Sequence, residues 1–285
     1  MSSPSAAEWS QLLLAPVGQV CSGLLLYGIY MVLFIVAIVT LSRRKANGRK
    51  VLFAVTLTTG VLSTISIALL CANSVLWTRI IAETNQGPRP TLPHLKLSEA
   101  WNTVAITANI VLTLNILVTD IFFLYRCYVI WQWRRTPVIL PASLIVATLA
   151  SACFSDIKRD QMSRTLVYSV ACATNVVLVI LTAGRILWIQ REAFHVGIAN
   201  AVQRRYNNAI NAILESGAIY CICAISLVII AQCLPGNYWF YVMLGAYTQV
   251  VNIAPTLTIV RVGRGHTIET VSLEMGVSSE VLDIR

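Results

Sequence analysis

Charge is what this chain has least of. Only 12% of its 285 residues are Asp, Glu, Lys or Arg, against about a quarter in soluble domains. With 57% hydrophobic residues and a mean hydropathy of +0.73, the deficit excludes an ordinary soluble domain and points to an integral membrane protein. Lysine is scarcer still. Lys45, Lys50, Lys96 and Lys158 all lie between apolar runs, so no span offers an amine for a retinal Schiff base. The three histidines, His94, His195 and His266, also fall outside the runs. That removes the converging ligands a zinc-dependent membrane hydrolase needs. Cys221 and Cys223 are two apart and point to different sides of a helix, so they do not share a metal easily. There is no glycine-rich phosphate loop and no serine in a nucleophile elbow. No enzymatic activity, cofactor or metal is therefore expected. No Asn-x-Ser/Thr triplet occurs, which excludes N-glycosylation at that motif. Met1–Gln19 has Glu8 but no Lys or Arg, so it lacks the basic start of a secretory signal. The first apolar run is read as an uncleaved anchor. No internal repeat is visible, and no Pro-Gln pair of the kind that marks three-plus-three sugar transporters.

What is present is seven apolar runs, at about 19–41, 51–76, 103–130, 138–154, 165–189, 208–233 and 241–262. Each approaches the ~20 residues that span a bilayer as helix. The fold class is therefore all-α, an integral membrane bundle of seven transmembrane helices. Residues 1–18 form a leading extracellular segment, 19–262 the seven-helix domain and 263–285 a polar cytoplasmic tail, read as mobile. The net charge of +9 is explained by topology rather than by nucleic acid. Arg43, Arg44, Lys45, Arg49 and Lys50 fill the first connection, Arg134 and Arg135 the third, and Arg191, Arg204 and Arg205 the fifth. On the other side Lys and Arg are offset by Glu83, Glu99, Asp156 and Asp160. The positive-inside rule then puts the amino terminus outside and the carboxyl terminus in the cytoplasm, with the plasma membrane the expected site. The longest outer connection, 78–102, holds three prolines and a glycine and is expected to be irregular, with one short amphipathic turn near its end. In the fourth run Pro141 is expected in the first helical turn, where proline is tolerated. Cysteines inside the runs act as small hydrophobes. Cys71, Cys153 and Cys233 fall near outer ends, which leaves a disulfide among them open.

Polar residues inside the runs follow helical spacing. Asn109, Thr113 and Asp120 share one face of the third, and Asn115, Thr119 and Arg126 an adjacent one. Arg204, Asn208, Asn211 and Glu215 form a stripe on the sixth; Gly245, Gln249, Asn252 and Thr256 form one on the seventh. Thr182 and Arg185 lie near the inner end of the fifth. Asp120, Glu215 and Asn252 each count to roughly 10–15 Å from the inner ends at ~1.5 Å per residue. The spacing predicts an inward-facing polar layer of Asp120, Arg126, Arg185, Glu215, Gln249 and Asn252. A carboxylate at the bilayer centre costs at least about 2.5–3.5 kcal/mol. Pairing of Asp120 or Glu215 with Arg126 or Arg185 offsets that cost. A switch that breaks such a pair, or a proton or cation pathway, are the alternatives. Tyr125, Tyr128, Trp131 and Trp133 read as an aromatic belt, and Gly217, Cys221 and Ala224 as a close-packing helix face.

Three segments carry a resemblance: "DIFFLYRCYVIW" (120–131), "RRYNNAINAILESGAIY" (204–220) and "QVVNIAPTLTIVRVG" (249–263). In these the chain resembles a group of uncharacterised seven-span membrane proteins of mushroom-forming fungi. The resemblance implies a topology, not an activity, and singles out Asp120, Arg126, Glu215, Ser216, Pro255 and Arg261. Similarity to G-protein-coupled receptors is weaker. Tyr125 stands where their acid precedes the arginine, and "NIAP" lacks their following tyrosine. The expected function is receptor-like or sensory, with the lipid bilayer as environment and basic loops that meet a cytoplasmic signalling partner or anionic lipid. A proton- or cation-linked transporter or channel is the first alternative, and a structural membrane component without ligand the second.

Overall fold

The computed structural model describes the backbone of residues 6–42, 49–84, 92–158, 161–195, 200–234 and 237–283. Side chains are described over 14–42, 50–84, 95–158, 163, 165–189, 191, 215–234 and 237–261. Among them there are seven α-helices and no strand: α1 (Ala6–Ser42), α2 (Arg49–Thr84), α3 (Leu92–Ile130), α4 (Thr136–Lys158), α5 (Gln161–His195), α6 (Asn200–Cys233) and α7 (Tyr238–Asp283). Each contains an apolar stretch of 19 residues or more, long enough to cross a bilayer.

Burial runs the reverse of a water-soluble core. Leu25, Val32, Ile180 and Ile222 are more than 60% exposed. Thr56, Ser63, Asn115, Thr119, Gln249, Asn252 and Thr258 are fully buried. An outer surface of that kind fits hydrocarbon, and backbone polar groups are satisfied within each helix as lipid demands. The chain is a polytopic membrane bundle.

The helices pack on their chain neighbours, and α7 closes the ring against α1. α3 crosses the interior to reach both α5 and α7, and α2 also touches α7. Buried residues make up 67% of the apolar window of α7 but 17% of that of α1, so α7 is the central helix. Connections one, three and five lie at one end, here the basic end; two, four and six lie at the far end.

Two local devices fix α7. Gly245 lets α1 approach so closely that a Cβ there would lie 2.2 Å from the Gln19 carbonyl oxygen and 2.6 Å from Ser22 Oγ. The Ser22 hydroxyl donates to the Val242 carbonyl at 2.8 Å across the same contact. Small residues at such crossings are how membrane helices gain packing without a hydrophobic driving force. Pro255 supplies the second device. Lacking an N–H, it leaves the carbonyl four residues back, that of Val251, without its helical donor. The Thr119 hydroxyl of α3 donates to that carbonyl at 3.1 Å. The proline thereby creates the acceptor by which α3 and α7 are joined.

Three features differ from the sequence expectation. In the connection between α2 and α3, expected to be irregular, the described residues are helix, since α2 continues to Thr84 and α3 starts at Leu92, and residues 85–91 lie outside the described ones. Pro93 sits in the first turn of α3, where its missing N–H costs nothing. Trp77 and Trp101 pack ring to ring at 5.2 Å and hold the two extensions together. α4 starts at Thr136, which puts Pro141 in its second turn rather than its first. α7 continues past the membrane stretch as helix to Asp283.

The basic end of α3 closes in a Schellman turn. The Trp133 N–H donates to the Tyr128 carbonyl and the Gln132 N–H to that of Val129. Gln132 and Trp133 both have positive φ, 53° and 65°, a conformation that normally selects glycine. The Tyr128 and Trp133 rings meet edge-on at 5.0 Å, the apolar contact that accompanies this cap. Two members of the expected aromatic belt thus serve the turn.

Candidate functional site: the buried polar interior

Asp120 is 1% exposed on α3. It accepts a hydrogen bond from Asn175 Nδ2 of α5 at 3.0 Å, through Oδ1. The same amide nitrogen also donates to the Ala171 carbonyl of its own helix. Asp120 Oδ2 has no partner. Asn175 lies ten residues from one end of its membrane stretch and fourteen from the other, so the pair sits near mid-membrane. Asn175 was not among the expected residues, although a lone amide in "ACATNVVLV" carries the same signal that flagged the others.

A second polar group joins α2, α3 and α7. Ser63 Oγ donates to Gln249 Oε1 at 2.7 Å. Asn252 Nδ2 donates to the Thr248 carbonyl at 3.1 Å, and the Thr256 hydroxyl to the Asn252 carbonyl. Gln249 Nε2, Asn252 Oδ1 and both amide atoms of Asn115 are buried without partners. Each such atom carries a desolvation penalty of about 1–3 kcal/mol unless a water serves it. Thr119, four residues beyond Asn115, reaches α7 through Val251, so Asn115 faces the same helix.

Glu215 is placed differently from the sequence expectation. It forms a bidentate ion pair with Arg261 of α7, and neither Arg126 nor Arg185 is its partner. Its side chain is 52% exposed. The stretch from Glu215 to Cys233 spans ~27 Å at ~1.5 Å per residue, nearly a full hydrocarbon core. Glu215 therefore lies toward the basic end of α6, whose preceding side chains, 200–214, lie outside the described residues. One residue deeper, Ser216 and Thr258 share a buried hydrogen bond of 2.7 Å, which sets the register that aligns Glu215 with Arg261. Packing explains the choice of partner. Among the described residues α6 lies beside α5 and α7 and is not packed on α3, which puts Arg126 out of reach of Glu215.

The two expected arginines turn to aromatic rings. The Arg126 guanidinium lies over Phe122, one turn back on α3, at 5.5 Å. That of Arg185 stacks between Trp131 and Trp188 at 5.2 and 4.2 Å. Neither meets an acid among the described residues. For Arg185 the contact with a belt tryptophan stands in place of an ion pair, while its Nε is buried without a hydrogen-bond partner. The expected layer thus separates into a mid-membrane set (Asp120, Gln249, Asn252) and a basic-end set (Arg126, Arg185, Glu215). Arg204, Asn208 and Asn211, the start of the expected stripe on α6, lie outside the described side chains.

In the far half of the bundle a cleft opens between α3, α4 and α5. Asn109, Thr113, Ile116, Ser155, Asp156 and Tyr168 line it, and its free volume of about 30 Å³ is room for one or two waters. Beneath it lies the main hydrophobic cluster, which includes Ile116, Tyr168, Ala171, Tyr220 and Tyr247. The Tyr220 and Tyr247 hydroxyls are hydrogen-bonded at 3.0 Å. All eight cysteines are free thiols, so the disulfide left open among Cys71, Cys153 and Cys233 is not formed. Gly217 and Ala224 are buried as the packing face expected of them. Gly217 faces Val179 of α5, which a Cβ would meet at 2.4 Å. Comparison with protein-family models, with curated proteins and with solved structures finds no match.

Proposed function

We propose that this membrane bundle is a receptor-like sensory protein, with its amino terminus and the α3–α4–α5 cleft facing outside and its basic end in the cytoplasm. The observation that carries the reading is the cleft closed below by packed aromatic and aliphatic side chains. Such a floor blocks the passage of a solute yet lets a small ligand press on α3 and α5 from one side. Under that floor the polar interior is only partly satisfied. The unpartnered atoms of Asn115, Asp120, Gln249 and Asn252 leave hydrogen bonds to be gained in a second packing, which is what a two-state element requires. The ion pair of Glu215 and Arg261 ties α6 to α7 where a cytoplasmic partner would dock on basic loops. The likeness to the fungal seven-span group belongs to the same proposal.

A transporter is the competing reading, and one observation favours it: a mid-membrane carboxyl with a spare oxygen. Against it, the helices of the interior are continuous through the membrane, whereas transporter sites are typically framed by broken helices. The test is reconstitution of the full chain in liposomes under imposed proton, sodium and potassium gradients. A receptor gives no flux above empty liposomes, while a fluorophore at the basic end of α6 changes on stimulation from outside. Sustained flux that Asp120→Asn abolishes refutes the receptor reading.

A further inference from the structure

The hydrogen-bonded pair of Asp120 on α3 and Asn175 on α5 lies one helical step beyond the cleft lining of those two helices. On α3 the lining residues Asn109, Leu112, Thr113 and Ile116 lead to Asp120 at the next helical step of four. On α5 the lining residue Tyr168 leads through Ala171 to Asn175, again at helical spacing. The hydrogen-bonded pair is therefore the next polar layer down, about 6 Å below Ile116 at ~1.5 Å per residue.

The pair is chemically incomplete. Asp120 Oδ2 has no partner although the residue is 1% exposed. The single hydrogen bond between Tyr220 and Tyr247 uses one of their two hydroxyl hydrogens. Both phenols lie within electrostatic reach of Asp120. The Tyr168 ring, at the cleft wall, meets that of Tyr247 edge-on at 5.8 Å.

Among the described residues no counter-charge stands close. The titratable groups turned toward this level are Tyr168 and Cys172 of α5, Tyr220 and Cys223 of α6 and Tyr247 of α7, with Asp156 of α4 at the cleft. α2 has no charged residue between Lys50 and Arg79. Arg126, on the same helix, is stacked on Phe122, and the α7 arginine, Arg261, is held by Glu215. A metal ion would need several converging oxygen ligands. A proton needs one lone pair, and the cleft admits a water.

We infer that Asp120 is a proton-binding site served from the cleft between α3, α4 and α5. An O–H bond of hydronium breaks and one forms at Oδ2, leaving water and a neutral carboxyl. The neutral carboxyl then loosens or redirects the α3–α5 junction held by Asn175. This rests on the sensory reading and names its stimulus, acid on the outer side.

Infrared difference spectroscopy of the full chain in liposomes, between acidic and alkaline buffer, tests it. A carboxylic-acid carbonyl band is expected to grow on acidification. It disappears in Asp120→Asn, shifts in Asp120→Glu and persists in Asp156→Asn. Ala152→Phe, which fills the cleft, slows its growth at least tenfold after a pH jump, with helix content checked by circular dichroism. A band unchanged in Asp120→Asn, or lost in Asp156→Asn, overturns the site. An unslowed Ala152→Phe overturns the route. The same liposomes separate the two readings. Proton flux abolished by Asp120→Asn upholds the proton site and sinks the sensor. Movement at the basic end of α6 with no titration of Asp120 sinks the site and spares the sensor.

Discussion

Replacing Thr119 by valine keeps the side-chain shape and removes one donor. Its acceptor, the Val251 carbonyl, is fully buried and has lost its helical N–H to Pro255. An orphaned buried carbonyl costs about 1–3 kcal/mol, and measured side-chain hydrogen bonds between membrane helices average ~0.6 and reach ~1.7 kcal/mol. The expected loss is thus about 1–1.5 kcal/mol. The same logic says what restores it. In Pro255→Ala the new N–H bonds Val251 within α7, so Thr119→Val in that background costs less than about 0.5 kcal/mol. The double-mutant cycle then shows a coupling near 1 kcal/mol. It is read from denaturation in mixed micelles, with circular dichroism reporting helix loss for wild type, both singles and the double. Equal cost of Thr119→Val in both backgrounds refutes the claim that proline creates the acceptor threonine fills.

Four further substitutions and one charge exchange follow from the packing, the cap and the ion pair. Gly245→Ala forces a methyl against the rigid Gln19 carbonyl and should cost about 1–3 kcal/mol. Gly28→Ala, with nothing within 4 Å, should be neutral or gain up to ~1 kcal/mol from helix propensity; thermal melts in one detergent compare them, and equal melts would sink the close-approach account. Gln132→Gly relieves a left-handed residue and should stabilise by about 1 kcal/mol, seen as a raised melting temperature; a lowered one would show that the glutamine side chain holds the turn. Glu215→Gln should lower stability, and the loss should shrink with added salt because the pair is exposed. Exchanging the charges, Glu215→Arg with Arg261→Glu, should recover part of it; a swap no better than the single variant would remove the pair as a link between α6 and α7.

Glycine shows how far composition and spacing reach. That the chain crosses a membrane seven times follows from apolar run lengths, because bilayer thickness imposes a single length on every span. That Gly217 faces a neighbour follows from small residues in an apolar run. But spacing placed Gly245 only on the polar stripe of its span, and did not say that the α1 backbone passes over it while Gly28 faces open space. Which helix passes over a glycine is a property of the bundle. The ends of the helices were legible only in part. Proline and glycine near 87–93 read as a break, yet Pro93 starts a helix, and paired tryptophans extend both helices beyond the apolar runs.

The polar interior divides in the same way. Helical spacing determined by itself that Asp120, Gln249 and Asn252 turn inward, because lipid leaves a polar side chain nowhere else to go. Pro255 was noted in the sequence only through the resemblance, and the carbonyl it frees at Val251 gained its meaning from the Thr119 hydroxyl that the structure places there. Partners were another matter. Glu215 had several arginines within plausible depth, and only the order of helices around the ring, with α6 beside α7 and away from α3, selected Arg261. Arg126 went to Phe122 of its own helix, and Arg185 to Trp188 and to Trp131, the one ring of these three that sequence had assigned to the membrane interface. Periodicity fixes the face and approximate depth of a residue, which are properties of one helix. The identity of the neighbour across the gap depends on helix order and register, which only the packed bundle decides.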